Sequence, residues 1–258
     1  MTPETTGVSS IADPEQIDGW GLRAWPALEE QQVGGWLLRF AGGHTKRSNA
    51  VYPLGRPARS IQWAVSNCEL LYRLREIPAT FRMTDTAQPP GLDAFLAVRG
   101  YDLIDRTWVL HCGIEDAPLG GPVPSRIRIR TVSCDVWLDA YEKLGLLDPP
   151  SMRLHREIVR RAQEEAFPLL AEQGGQILGL NLGVRTGAGI GLFGLYVVKS
   201  ARRAGVGGAL VRATLRAGTE AGATTAYLQV EASNAPARRL YDKHGFRPSH
   251  LYWYRMLR

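Results

Sequence analysis

Along this chain the spacing of apolar positions switches repeatedly between a period of two and a period near 3.6. In the second half, residues 126–131 alternate polar and apolar and predict a strand. Residues 135–144 and 151–165 have helical spacing, with Asp148-Pro149-Pro150-Ser151 between them as a break and cap. Strands are predicted at 167–171 and 176–184, around a Gly-Gly turn, and at 190–198, a nearly unbroken apolar run. A helix at 207–221, a strand at 224–230 and a helix at 236–244 follow. Pro236 stands in the first turn of that last helix and Gly245 just past its end. Residues 246–257 close the chain as one strand or two short ones.

The first half repeats this order. A hairpin at 35–40 and 48–53 leads to a helix at 60–74, a strand at 79–84, a second helical run at 91–101 ending in Gly-Tyr, and a strand at 106–111. The repetition predicts a duplicated fold with one degenerate copy. The Pro- and Gly-dense stretch at 117–125 reads as the linker. The expected division is a flexible tail at 1–16, a degenerate domain at 17–116, the linker at 117–125 and a functional domain at 126–258.

Composition narrows the class. With 258 residues, 45% hydrophobic and 22% charged, the chain reads as soluble and globular. It has no run of 18 apolar residues, and its polar N-terminus lacks the basic and apolar regions of a signal peptide. Three cysteines without a CxxC spacing fit a reducing cytoplasm better than a disulfide framework. Five histidines without paired spacing predict no metal site. The net charge of +6 favours an anionic ligand. No Lys/Arg block with interleaved aromatics points to nucleic acid.

The sharpest local signal is the stretch from Tyr196 to Leu210. A buried strand enters a turn, and Gly205 and Gly207 open an amphipathic helix. The first amides of a helix have no partner within it, and its dipole favours negative charge there. Glycine lets a phosphate approach the backbone closely. No GxxxxGK[ST] stretch exists. Gly189-x-Gly191-x-x-Gly194 spells a dinucleotide fingerprint but leads into a strand instead of a helix.

Arg202-x-x-Gly205-x-Gly207 resembles the R/Q-x-x-G-x-G/A signature of the GNAT superfamily of N-acetyltransferases. Asn234-Ala-Pro-Ala-Arg-Arg-Leu-Tyr241-Asp-Lys-His-Gly245-Phe246 resembles its second motif. Upstream, Gly34 to Arg39 and Thr45 to Leu54 look like the N-terminal domain of two-domain members. The resemblance implies an α/β fold of two tandem GNAT-like domains. Each would hold a mixed, mostly antiparallel sheet flanked by helices, with a splayed strand pair in the C-terminal one.

It also implies acetyl-CoA as cosubstrate, held only by the C-terminal domain. Backbone groups of Val197 and Val198 would pair with the pantetheine, one of their amides serving as donor to the reacting carbonyl. Arg202, Arg203, Ala204, Gly205, Val206, Gly207 and Gly208 would surround the pyrophosphate. Asn234 would bond the cofactor or pin the strand end, and Tyr241 would protonate the leaving thiolate.

The strand at 191–198 carries no carboxylate where many members have a Glu, so Glu231 is a replacement candidate for the base. Trp137, Tyr196 and Trp253 are candidates for the acceptor pocket, which is expected between the helices at 135–144 and 151–165 and Tyr252-Trp253-Tyr254. The expected acceptor is the amine of a small molecule or peptide. A protein lysine or N-terminal amine, and a non-catalytic acyl-CoA-binding module, are the alternatives. No nucleic-acid or membrane partner is expected, and the chain is expected to be a monomer or homodimer.

Overall fold

The computed structural model describes residues 12–121 and 126–257. The first eleven residues of the expected tail, and 122–125 of the expected linker, lie outside the described residues. The end of that tail, residues 14–16, is the first turn of a helix. Helix α1 (Pro14–Ala24) opens where the Asp13 side chain accepts from the Gln16 amide, with Pro at the first position and Glu15 in the first turn. Ile17, Trp20, Gly21 and Ala24 form its buried stripe at helical spacing.

Strands β1 (Glu29–Val33), β2 (Trp36–Phe40) and β3 (Val51–Pro53) are followed by helix α2 (Ile61–Arg73), β4 (Thr80–Met83), α3 (Leu92–Val98) and β5 (Asp102–Gly113). After the linker come β6 (Arg128–Thr131), α4 (Cys134–Lys143), α5 (Pro149–Arg161), β7 (Ala166–Gln173), β8 (Gln176–Thr186) and β9 (Gly189–Val197). Helix α6 (Val206–Glu220), β10 (Thr225–Glu231), α7 (Ala235–Asp242) and β11 (Arg247–Met256) complete the chain. The closing strand is thus single, with register shifts against β5 at two points.

The described strands form one sheet in the order β1-β2-β3-β4-β11-β5-β10-β9-β8-β7-β6. It is mixed and mostly antiparallel; β3/β4 and β9/β10 are the parallel neighbours. The succession strand-helix-strand-helix-strand, β3 to β5, recurs as β9 to β11. The final strand of each succession crosses into the other: β5 lies between β10 and β11, and β11 between β4 and β5. The linker therefore separates two stretches of chain but not two sheets.

Helices α1, α4 and α5 cover one face over a core containing Trp20, Trp25, Trp137, Phe193, Tyr227, Tyr252 and Tyr254. Helices α6 and α7 contribute to clusters that include Leu210, Leu215, Tyr241 and Phe246. Gly189 and Gly191 explain their fingerprint spelling through packing. A Cβ on Gly189 would lie 2.4 Å from the Trp20 ring, and one on Gly191 2.5 Å from the Phe193 ring.

Candidate active site

Parallel pairing of β9 with β10 runs from Gly189↔Thr225 to Leu192↔Leu228 and stops. Beyond that point β9 stays on β8 and β10 stays on β5, so the two part. A bulge in β9 accompanies the parting. Phe193 faces Leu182 and Tyr196 faces Leu180, leaving Gly194 and Leu195 opposite Asn181 alone. Gly194 takes φ 59°, a left-handed conformation natural to glycine. The gap widens into a cleft of about 1180 Å³ that passes between the strands.

At one end of the cleft lies the start of α6. Its N-cap is Gly205 at φ 81°, and no side chain caps the helix. The amides of Val206, Gly207 and Gly208 precede the first helical bond, which Ala209 makes to the Gly205 carbonyl. Arg202, Arg203, Arg212, Arg239 and Lys243 also line the cleft. This is a concentration of positive charge around uncapped amides, suited to phosphate oxygens. Arg203 takes φ 66°, which shapes the turn. Arg202 reaches back instead, its Nε donating to the Val197 carbonyl at 3.1 Å. Ala204 and Val198 are not among the lining residues.

The two valines differ. The Val198 amide donates to Leu178 and its carbonyl accepts from Ala201, so the Val198 amide is already engaged within the protein. Of the two amides expected as donors, that of Val197 is the one with no such partner on β8. By strand alternation the Val197 amide points away from β8, toward the gap. Asn234 is the N-cap of α7, its Oδ1 accepting from the Ala237 amide at 3.2 Å. Tyr241 lines the cleft from α7. It is 8% exposed, and burial pushes its phenol up to about 12. Glu231 ends β10 at the cleft and pairs across to Thr107 of β5.

The opposite end of the cleft is not where the helices α4 and α5 stand; neither contributes a lining residue. Thr45, Lys46 and Arg47 from the loop before β3, Asp105 and Thr107 from β5, and Tyr252 and Tyr254 from β11 form it instead. Tyr196 lines the cleft as well. Trp137 does not: it is fully buried in the core beneath α4. Trp253 alternates to the other sheet face from Tyr252 and Tyr254, where its Nε1 donates to Asp93 at 2.6 Å. Both tryptophans are therefore withdrawn from the acceptor site. Sequence reasoning missed Arg47, Asp105 and Thr107, which reach the cleft only because the two halves interlock.

Behind this wall His44 and His155 share a hydrogen bond, Nε2 to Nδ1 at 3.0 Å, among the rings of Trp25, Trp137 and Tyr141. Burial, with His44 and Arg47 nearby, lowers the His155 pKa to about 3. In the unfolded chain the ring binds a proton below its ordinary value near 6.5; the folded protein refuses that proton until about pH 3. Stability from this site is thus complete above pH 6.5 and lost as the pH falls from there. Urea unfolding is expected to show the decline between pH 6.5 and 4.5, above the range where most carboxylates titrate. His155→Phe should flatten that slope, and an unchanged slope would assign it to other groups.

The equivalent place in the first half is closed. Helix α2 is capped by Ser60, whose side chain accepts from the Trp63 amide. The carbonyl of Pro53, at the end of β3, accepts from the Gln88 amide, and the Gln88 carbonyl accepts from Trp36 Nε1. The chain's own loop thus takes up the carbonyl that ends β3.

Comparison with known proteins agrees with this geometry. The chain is 28% identical over 251 residues to an uncharacterised N-acetyltransferase, YobR, of Bacillus subtilis, covering 95% of this chain and 99% of that protein. Its fold is similar to that of a GCN5-related N-acetyltransferase from Kribbella flavida (TM-score 0.72, 15% identity, 98% and 96% of the two chains). A tandem GNAT protein from the clavulanic acid biosynthesis pathway also shares it (TM-score 0.60, 17% identity, 76% and 69%). The family model described as "Probable histone acetyltransferase Rv0428c C-terminal" matches residues 16–255. An uncapped helix over a splayed strand pair, found within such a match, places the chain in that acetyltransferase family of the GNAT superfamily.

Proposed function

We propose that this protein moves an acetyl group from acetyl-CoA directly to the amine of a small molecule or peptide, both bound together. The observation that carries this reading is the cleft through the β9/β10 splay, with uncapped α6 amides at one end and a polar, aromatic wall at the other. Acetyl-CoA supplies the activated acyl group. The pyrophosphate would sit on the Val206–Gly208 amides, flanked by Arg203. The pantetheine would run beside Leu195 and Val197 in the manner of an added strand.

The Val197 amide is placed to donate to the acyl oxygen as it gains negative charge. Tyr241, on the α7 side, holds its proton at neutral pH and gives it to the departing thiolate. Glu231 shares the opposite face with Gln229 by strand alternation, so it stands on the side from which an amine enters. There it takes the proton that the amine loses. Acid and base on opposite sides of the gap suit a reaction that crosses it. Helix α2 in the first half is capped by the Ser60 side chain and lacks the glycine turn, so one acetyl-CoA per chain is expected. We read the two successions as two GNAT-like copies, of which 126–258 is the functional one.

Thiol release from acetyl-CoA across a panel of amines tests the reading. Amine-dependent release supports it. Tight acetyl-CoA binding with no amine accelerating release would refute it.

A further inference from the structure

Resting on that reading, we infer that the acceptor carries an anionic group, a carboxylate or phosphate, on the same molecule as its amine, and that Arg47 receives it. On the acceptor side of the cleft the neighbouring cations are satisfied. Lys46 pairs with Asp105 at 2.7 Å, and Arg82, behind Tyr252, holds Asp18 through two bonds of 2.7 and 2.8 Å. The Arg47 guanidinium makes no hydrogen bond or ion pair with any described residue. It rests 5.5 Å from the ring centroid of Trp25 and 5.6 Å from that of Phe193. Aromatic faces hold a guanidinium in place without neutralising it. Phe193 is the last residue before the Gly194 bulge, so this charge stands beside the mouth of the splay.

The surroundings are built to present it. The Arg47 carbonyl accepts from Arg39 Nη1 at 2.9 Å and from the Tyr52 hydroxyl at 2.8 Å. Arg39 is 1% exposed, and its Nη2 also donates to the carbonyls of Leu22 and Trp25. Asn49 fixes the rest of the loop, accepting from the amides of Ala41 and Gly43 and donating to the carbonyls of His44 and Thr45. Thr45 is held at φ 58°, a conformation costly for a residue with a branched side chain. A buried arginine thus helps fix the backbone of a second arginine, and the assembly leaves that second charge unpaired. The motif from Thr45 to Leu54 acquires a role in this way. It sits in the closed half of the molecule and shapes the site of the open half.

Beyond the Lys46–Asp105 pair, Arg47 and Glu231 give the wall a cation and a carboxylate, complementary to an acceptor with an anion and an amine. A Lys/Arg-rich peptide would bring further positive charge against Arg47. Matched probes separate these cases: 4-aminobutyrate against 4-aminobutanamide, O-phosphoethanolamine against ethanolamine, and a short acidic peptide against a basic one. The anionic member of at least one pair is expected to show a kcat/KM about tenfold or more above its partner, the range of a charge-assisted hydrogen bond. The first two pairs tell carboxylate from phosphate. Arg47→Gln should collapse that ratio, and Arg47→Lys should restore part of it.

Calorimetric binding of the same probes to the CoA-bound protein gives a readout independent of turnover. Anion-dependent binding lost in Arg47→Gln, without acetyl transfer, would keep this inference and sink the catalytic reading. Transfer favouring the neutral or basic members, or anionic probes bound equally by wild type and Arg47→Gln, would overturn the inference and leave the catalytic reading standing.

Discussion

Replacing Tyr241 by Phe is expected to lower kcat for acetyl transfer by about 100-fold or more, the range for loss of a positioned general acid. The phenol sits in a nearly closed position, packed edge-on against Phe246 at 5.8 Å between ring centroids. Burial holds its pKa near 12, so the acid form is fully present throughout the working pH range. The Phe variant keeps the ring and its packing, so stability should change by less than about 1 kcal/mol. Affinity for acetyl-CoA should stay within a few fold, because the ring remains. Single-turnover kinetics alongside equilibrium binding check this, and a wild-type rate in the variant would remove Tyr241 as the proton donor.

Gly207→Glu is expected to weaken acetyl-CoA binding by at least about 100-fold without unfolding the protein. A Cβ at this position meets only the Leu240 Cδ2 at 3.3 Å and the Val197 Cγ2 at 3.7 Å, contacts that a small side-chain shift relieves. A carboxylate in the first turn of α6 even suits the helix, since the dipole and the free amides favour negative charge. That is the source of the defect. The new carboxylate occupies the amides proposed for the pyrophosphate and repels its charge. Calorimetric titration and thermal melting together provide the check: Kd should rise sharply while Tm holds or increases. Normal affinity would move the pyrophosphate elsewhere. Gly207→Ala, with the Cβ but no charge, should show only a mild loss.

Much of the cofactor end was legible because its signals are local. The turn between β9 and α6 announces itself through Gly205 and Gly207, and the start of α7 through Pro236. The first turn of helix α1, residues 14–16, fell within the expected tail although Asp13-Pro14-Glu15 is a good N-terminal signal, because the apolar stripe it leads into is short and includes Gly21. Strand β1 left no alternation to find. It is an edge strand, its sequence is Glu-Glu-Gln-Gln-Val, and Glu29 pairs with Arg75 at the surface. Trp137 and Trp253 were misplaced for another reason. An aromatic residue is equally at home in a core and in a pocket, and period alone does not say which.

The sequence by itself determined most of the order of elements, the glycine turn proposed to receive anions, the tyrosine in the motif after it and the repetition of one succession along the chain. These depend on contacts between near neighbours in the chain, such as caps, turns and helical or strand periods. Only the tertiary structure decided that β5 and β11 exchange places. It also decided that the bulge at Gly194 opens a cleft, and that Arg47 and Thr107 from the first half wall the site of the second. The hydrogen bond from His250 to Asp18 joins residues 232 positions apart. Which strand satisfies which edge, and which side chains meet across it, is settled by burying every backbone group and apolar face at once. No local period records that choice.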